Sequence, residues 1–265
     1  MTLRLHAPKI ATKAKAGQFV HITPNPLQPL RRPISIMLTH PDRGDIDLFY
    51  KIAGSGTDLL SQADVGSTLD VLGPIGQPFQ TTPTKRFLLI GGGVGMPPMI
   101  FLAKQLMEAQ QTQGLVLLGS EVAFPFQPQP SRFLIPGLPD GVMASMPLLE
   151  DWNIASRLSS GQDQAGCFSG YVTELAQQWL DTLSPDEQQQ VSVFSCGPTP
   201  MLQAVATLSR EYQLSCQLSL EEYMACGVGG CAGCTVPTYR DGIVHAMKRV
   251  CVDGPVFNAH EVMPF

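Results

Sequence analysis

The chain has no run of about 18 or more apolar residues, so nothing in it is expected to span a membrane. No block or stripe of basic residues stands out either. With 17 Lys and Arg against 22 Asp and Glu, a net charge of −5 argues against nucleic acid as the main partner. The N-terminus, Met-Thr-Leu-Arg-Leu-His-Ala-Pro, lacks the apolar core of a signal peptide, and a cytoplasmic location is the expectation. No internal repeat is evident. Two further absences concern chemistry. None of the five histidines (His6, His21, His40, His245, His260) has metal-ligand spacing or a triad arrangement, so each is expected to be solvated or locally bonded. No carboxylate pair is placed for acid–base work, which points to a chain that moves electrons and does not activate a substrate by proton chemistry; no catalytic residue is assigned.

What is present is enough chain for about two domains plus a smaller unit: 265 residues, 44% of them apolar. Gly 25 and Pro 23 mark many turns and close backbone approaches. Seven cysteines without a signal peptide, in odd number and with three tightly clustered, indicate a reducing compartment and not a disulfide framework.

Residues 1–82 read as short strands separated by turns. Gly17-Gln-Phe-Val-His-Ile22 and Asp45-Ile-Asp-Leu-Phe-Tyr-Lys-Ile52 alternate at period two, connectors such as Pro24-Asn-Pro26 and Gly54-Ser-Gly56 intervene, and Asp58–Ala63 is long enough for one short helix. This predicts an antiparallel β-barrel closing at Val71–Pro78. The character changes at Thr84. Arg86–Ile90, Leu115–Leu118 and Val191–Phe194 are buried apolar runs, and helices are expected at Pro97–Gln111, Val172–Leu183 (capped by Thr173 or a neighbour, with Trp179 on its apolar face) and Thr199–Tyr212. Strand–helix alternation predicts a parallel α/β sheet over 83–213. Glu121–Asp140, rich in Pro and Phe, reads as an irregular insertion or long loop. Residues 214–265 form a small third unit of Gly-rich loops.

Four cysteines in that unit carry most of the chemistry. Cys226, Cys231 and Cys234 have the spacing C-x4-C-x2-C, and Cys251 follows. This is the plant-type arrangement for a [2Fe–2S] cluster. A zinc ribbon favours two C-x2-C pairs, and here there is one. Gly91-Gly-Gly-Val-Gly95, between a buried strand and a helix, suits a pyrophosphate, although it is not a G-x-G-x-x-G and a plain tight turn explains it equally. Ser195-Cys-Gly-Pro198 ends another buried strand, at the sheet edge where ligands bind in open α/β folds; Cys196 by itself reads as a small core residue. Arg31-Arg-Pro-Ile-Ser35, then Phe49-Tyr-Lys51 and Gly56-Thr57, offer a phosphate-pairing Arg and a ring-packing aromatic, yet on spacing alone two surface arginines explain that strand better. Cys167 and Cys216 have no partner by spacing and read as structural.

Taken in order, these motifs resemble along almost the whole chain one family, the electron-transfer subunit of type B dihydroorotate dehydrogenase within the ferredoxin reductase superfamily. Arg32-Pro-Ile-Ser35, Gly54-Ser-Gly-Thr57, Gly73-Pro-Ile-Gly76, the Gly91–Pro98 loop, Ser195–Pro198, Glu221–Cys234 and Cys251–Phe257 carry the likeness. The resemblance implies FAD on the barrel, with Arg32, Pro33, Ile34 and Ser35 facing the flavin and its pyrophosphate, Phe49, Tyr50 and Lys51 lining the ring, and Gly56 and Thr57 holding phosphates. It implies NADH on the middle domain, with Gly92, Gly93 and Gly95 near the pyrophosphate and Cys196, Gly197 and Pro198 near the nicotinamide, and a [2Fe–2S] cluster on Cys226, Cys231, Cys234 and Cys251. The implied partner is an FMN-containing dihydroorotate dehydrogenase subunit of pyrimidine biosynthesis, in a heterotetramer. Ser120-Glu-Val122 offers no Arg for a 2′-phosphate, which favours NADH. The stretch Ser120–Gly166 departs from the family's more compact, acidic-rich pattern, which leaves sulfite reductase, hydrogenase or ferredoxin as rival acceptors, a stand-alone reductase as a rival enzyme, and a non-enzymatic redox sensor as a rival of another class.

Overall fold

A computed structural model describes residues 1–25, 28, 30–81 and 85–263. The N-terminal strands are β1 (Thr2–His6), β2 (Phe19–Ile22), β3 (Arg32–His40), β4 (Asp45–Phe49) and β5 (Val71–Ile75), with short helices α1 (Pro8–Ala11) and α2 (Ser55–Ser61) between them. They hydrogen-bond in the order β1-β4-β3-β2-β5, every pair antiparallel, so the expected barrel is one sheet with β1 and β5 as its edges. Alternate residues Val20, Ile22, Ile34, Ile36, Ile46 and Leu48 belong to one buried core, as period two requires. Strand β2 departs from simple alternation, because all four of its residues are buried. Its other face is covered: Phe19 shares a second core with Cys234, Val250, Cys251 and Phe257 from the C-terminal segment.

Charge is also built into this sheet. Asp47, 4% exposed, accepts from Arg4 Nε at 2.6 Å and Nη2 at 2.8 Å, and lies 2.8 Å from His40 Nε2. Burial alone would push its carboxyl up, but the bonds from Arg4 and His40 outweigh that and hold it below the usual carboxylate range. A depressed folded-state pKa gives stability that is present above the unfolded value of about 3.9 and lost as pH falls through the folded value. Asp47→Asn is therefore expected to cost about 2 kcal/mol at neutral pH, the scale of a hydrogen bond to a charged group. The deficit should shrink in urea melts repeated towards pH 3; an acid-independent difference would contradict it.

The central strands and helices are β6 (Arg86–Gly92), α3 (Met96–Glu108), β7 (Gly114–Ser120), β8 (Gln129–Pro130), β9 (Ala144–Ser145), α4 (Pro147–Asp151), β10 (Ser156–Ser160), β11 (Phe168–Ser169), α5 (Val172–Asp181), α6 (Pro185–Gln188), β12 (Val191–Cys196), α7 (Thr199–Glu211), β13 (Ser215–Ser219) and β16 (Val256–Asn258), the last numbered after a hairpin of β14 (Thr235–Arg240) and β15 (Ile243–Arg249). The sheet order is β11-β10-β7-β6-β12-β13-β16, parallel except for β16. All six expected strands and helices of this region are present, with Trp179 buried on α5. The residue before that helix is Tyr171, not Thr173, and its N–H is taken by Glu174 Oε2 at 2.7 Å. Helix α8 (Ala259–Val262) ends the described chain.

The expected boundary at 82/83 lies outside the described residues, as does Thr84, and so does Pro26 of the first connector. The expected boundary at 213/214 meets a continuous structure, since β13 pairs parallel with β12 and β16 returns from beyond the cysteines to close the same sheet edge. Between β7 and α4 the chain has only the two-residue strands β8 and β9, in keeping with an irregular insertion. Polar groups pin it: buried Arg157 donates to Val142 O at 3.0 Å and Phe133 O at 2.5 Å, and Glu150, 2% exposed, accepts from Ser131 Oγ at 2.6 Å.

Candidate functional site

The Arg31-Arg32 pair divides its work. Arg31 is tied to Asp70 at 2.6 Å, whereas the Arg32 head lies over the start of α2, where a Cβ on Gly56 would stand 2.2 Å from its Nε. Thr57 Oγ1 accepts from the N–H groups of Ala53 and Gly54 at 2.9 and 3.2 Å and donates to Gly54 O at 3.0 Å, which closes the loop below that head. A guanidinium above the first turn of a helix is a fitting cradle for a pyrophosphate. The Ile36–Leu48 pairing sets Phe49 and Tyr50 beside the Ser35 and Ile34 end of β3. Phe49 lines an apolar cavity of about 150 Å³ with Met37, Met96, Ile100 and Phe126. Tyr50 is in the core, where burial pushes its phenol up, and Lys51 is exposed. Pro33 and Ser35 stand on the same face as His21 and Phe19, opposite the core-facing Ile34.

The second and third motifs, far apart in sequence, touch in the fold. Strands β6 and β12 are neighbours with Gly91 opposite Cys196. The turn after β6 comes so close to the end of β12 that a Cβ on Gly95 would lie 2.2 Å from Cys196 O and 2.6 Å from Gly197 N. Gly92 and Gly197 meet Met201 in the same way. The arrangement sets a tightly packed glycine turn at the carboxyl ends of two parallel strands, where open α/β sheets bind nucleotides. Pro97 and Pro98 open α3 without N–H groups, so the glycine turn, more than the helix's first turn, must supply donors to an anion. Cys196 itself is buried, and burial followed by the Glu221 charge pushes its thiol far up; it acts here as backbone and packing, not as a reactive group. Cys167 and Cys216 are likewise held protonated by burial, the latter pushed up to about 12.

The four cysteines of the C-terminal loops form two pairs. Cys226 and Cys231 perturb one another electrostatically, as do Cys234 and Cys251. Among the described residues no three His, Cys, Asp or Glu side chains converge as they would on one metal ion. Val228 N–H points at Cys226 Sγ and Gly233 N–H at Cys231 Sγ, both at 3.4 Å. Bonds from the backbone of Val228 and Cys231 and from the Cys231 side chain lower the Cys226 thiol to about 6, so it is ready to ligate as thiolate. Burial pushes Cys251 up to about 11, and the thiol of Cys234 adds to the shift. Arg249 clasps the two arms of the site, donating from Nη1 to Gly229 O at 3.1 Å while Asp253 Oδ2 accepts its N–H at 2.8 Å. The whole unit is seated on the barrel, with Gln77 N–H donating to Gly254 O at 2.6 Å and Gln77 Nε2 to Val252 O at 3.1 Å.

Sequence reasoning missed three parts of this site: the Arg249–Asp253 clasp, the β14–β15 hairpin and His21. His6 and His40 do bond locally, to Asp45 and Asp47. His21 is not solvated but 0% exposed, and among the described residues neither Nδ1 nor Nε2 has an aligned hydrogen-bond partner. The covering of β2 by the C-terminal unit buries it, and nothing within Phe-Val-His-Ile announces that cover.

Solved structures place the fold. A chain of the NADH-dependent reduced ferredoxin-NADP oxidoreductase, described for flavin-based electron bifurcation, matches with TM-score 0.79 and 27% identity over 98% of this chain and 84% of that one. The ferredoxin reductase in carbazole 1,9a-dioxygenase shares the fold at 17% identity, TM-score 0.56, over 80% of this chain and 60% of that one. Fold and cysteine site together define a ferredoxin reductase-like electron-transfer protein with an iron–sulfur segment at its C-terminal end. Residues 221–263 match the iron-sulfur cluster binding domain of dihydroorotate dehydrogenase B. The electron transfer subunit of dihydroorotate dehydrogenase B (NAD(+)) from Shouchella clausii is 34% identical over 98% of this chain and 91% of its own length, and that of Listeria monocytogenes 36% over 93% and 86%. The chain belongs to this family of dihydroorotate dehydrogenase B electron transfer subunits.

Proposed function

We propose that the chain takes hydride from NADH, passes single electrons to a [2Fe–2S] cluster, and delivers them to an FMN-containing dihydroorotate dehydrogenase subunit that interconverts dihydroorotate and orotate. The observation that carries this reading is the position of the cysteine loops on the outer face of β2, where Cys234 and Cys251 share a core with Phe19 and the turn after Cys226 lies against His21, beside the strand that bears Arg32 and Ser35. Bound FAD supplies the conversion from two electrons to one that a hydride donor and a one-electron cluster require.

The chain's own residues do the holding. Arg32, Gly56 and Thr57 hold the flavin pyrophosphate, and Pro33, Ile34, Ser35, Phe49, Tyr50 and Lys51 border the ring. Gly92, Gly93 and Gly95 admit the NADH pyrophosphate, with Gly197 and Pro198 at the nicotinamide end and Cys196 behind them. Cys226, Cys231, Cys234 and Cys251 ligate the cluster. Ser120 ends β7 and Glu121 follows it, neither a cation for a 2′-phosphate, which supports NADH over NADPH. The pairing of β13 with β12 supports dividing the chain after Ser219, so that the cluster unit is 220–263 and returns β16 to the central sheet. Among the described residues no helix is long and apolar enough to cross a membrane, and a cytoplasmic complex, a heterotetramer with the catalytic subunit, fits that composition.

Anaerobic stopped-flow mixing with NADH tests the route: flavin absorbance should bleach first and cluster absorbance follow. An unbleached flavin would sink the reading. Purification from native cells should bring an FMN-containing dehydrogenase with the chain; another oxidoreductase in its place would move the acceptor to one of the rivals. Arg32→Ala should raise the FAD dissociation constant by about 10- to 100-fold, the scale of losing one or two charge-assisted hydrogen bonds, measured by fluorescence of released flavin.

A further inference from the structure

His21 faces away from the barrel core, directly into the cluster loop. On β2 it pairs with Pro33 of the flavin-bearing strand β3 on one side and with Leu72 of β5 on the other. Above it runs the Cys226–Gly227 turn, and the approach is so close that a Cβ on Gly227 would stand 2.5 Å from His21 Nδ1. Gly227 has φ +67°, a left-handed turn that brings the backbone down onto the ring. The side chain is 0% exposed, and among the described residues neither ring nitrogen has an aligned partner, although the backbone of Arg31, Met224 and Cys226 lies around them. An imidazole carries a donor and an acceptor, and burying both unpaired is unfavourable unless the ring meets polar or charged groups there. Apart from the Arg31 backbone, the groups it meets belong to the loop that carries Cys226.

We propose that His21 is a positioning residue for internal electron transfer: its buried ring clamps the Cys226–Gly227 turn onto the flavin-bearing strand and thereby sets both the flavin-to-cluster coupling and the cluster's reduction potential. The inference rests on the flavin and cluster reading above. The hydride of NADH brings two electrons and leaves NAD⁺; the electrons pass on one at a time and the proton is released to solvent. His21 gains and loses neither electrons nor protons. Its effect is geometric and electrostatic, since hydrogen bonding and polarity around cluster sulfurs tune iron–sulfur potentials.

The test uses the full chain carrying both cofactors, as His21→Leu and His21→Gln. His21→Leu is expected to keep its FAD and the parental rate of flavin bleaching by NADH. Its cluster should be reduced about tenfold more slowly, and its midpoint in an EPR-monitored titration should fall by about 59 mV, the one-electron equivalent of a tenfold change in equilibrium. His21→Gln, which keeps an amide able to hydrogen-bond, should recover most of both changes. A parental potential and a parental cluster-reduction rate in His21→Leu would overturn the proposal. So would an equal loss in both variants, which would reduce the ring to a packing role. If His21→Leu fails to retain iron, His21→Asn, whose amide is shorter, takes its place: slow cluster reduction after normal flavin bleaching supports the clamp, and parental behaviour overturns it. Failure of the parent protein to bleach with NADH would instead sink the underlying reading, so the two failures are separable.

Discussion

Cys231→Ser is expected to remove the cluster's visible absorption and its iron while leaving FAD bound. A serine hydroxyl is a hard, weakly acidic ligand where a soft thiolate is needed, and a four-ligand site with one missing does not hold two irons. Cys231 is the exposed member of the set, so its loss leaves no cavity and strands no buried partner. Reduction of one-electron acceptors through the cluster should fall to background, while NADH still bleaches the flavin at close to the parental rate. Iron assay, visible spectra and stopped-flow traces on the same sample check all three. The companion Cys251→Ser should behave differently. Cys251 is 0% exposed and shares its core with Phe19 and Ile75 of the barrel, so burying a hydroxyl there should cost about 1–3 kcal/mol of fold stability on top of cluster loss. Loss of FAD together with iron in Cys231→Ser would show that the barrel cannot stand without a loaded cluster.

Gly95→Ala is expected to cut kcat/KM for NADH by about 10²-fold while FAD and cluster remain. The new methyl would lie 2.2 Å from Cys196 O, a backbone atom that cannot swing aside, so the turn after β6 and the end of β12 must part. A displacement of about 1 Å in a site that positions a hydride donor is enough for a loss of that size. Overpacking of this kind also costs about 1–3 kcal/mol of stability, so thermal melts should accompany the kinetics. One-electron transfer from dithionite to the cluster, which bypasses the nucleotide, should be unchanged. An unaltered kcat/KM for NADH would show that this turn is not part of the nucleotide site.

Legibility in the sequence followed the range of the interaction. The strand Arg86–Gly92 and the helix after it were plain, because a run of apolar residues ending in glycines is a local signal. The [2Fe–2S] spacing was plain for the same reason: three of its cysteines lie within nine residues, Cys226 to Cys234, and one tight loop must carry them. Arg31 and Arg32 looked interchangeable, yet one is held by Asp70 and the other by the turn at Gly56, partners from two other segments. The segment around 214 read as the start of a new unit because its glycines and cysteines are local features, while the ladder joining β13 to β12 is not.

The amino-acid sequence alone determined the short antiparallel strands, the strand–helix alternation after them and the plant-type spacing of the four cysteines, because strand period, glycine turns and thiol spacing all act within a few residues. The tertiary structure alone decided how those parts join. It brought Gly95 against Cys196, seated the cluster unit on the outer face of β2 through Phe19 and Gln77, and buried His21 beneath Gly227. Each of those contacts depends on which apolar faces cover one another once the chain is folded, and residues far apart in sequence meet only when burial of those faces draws the sheets together.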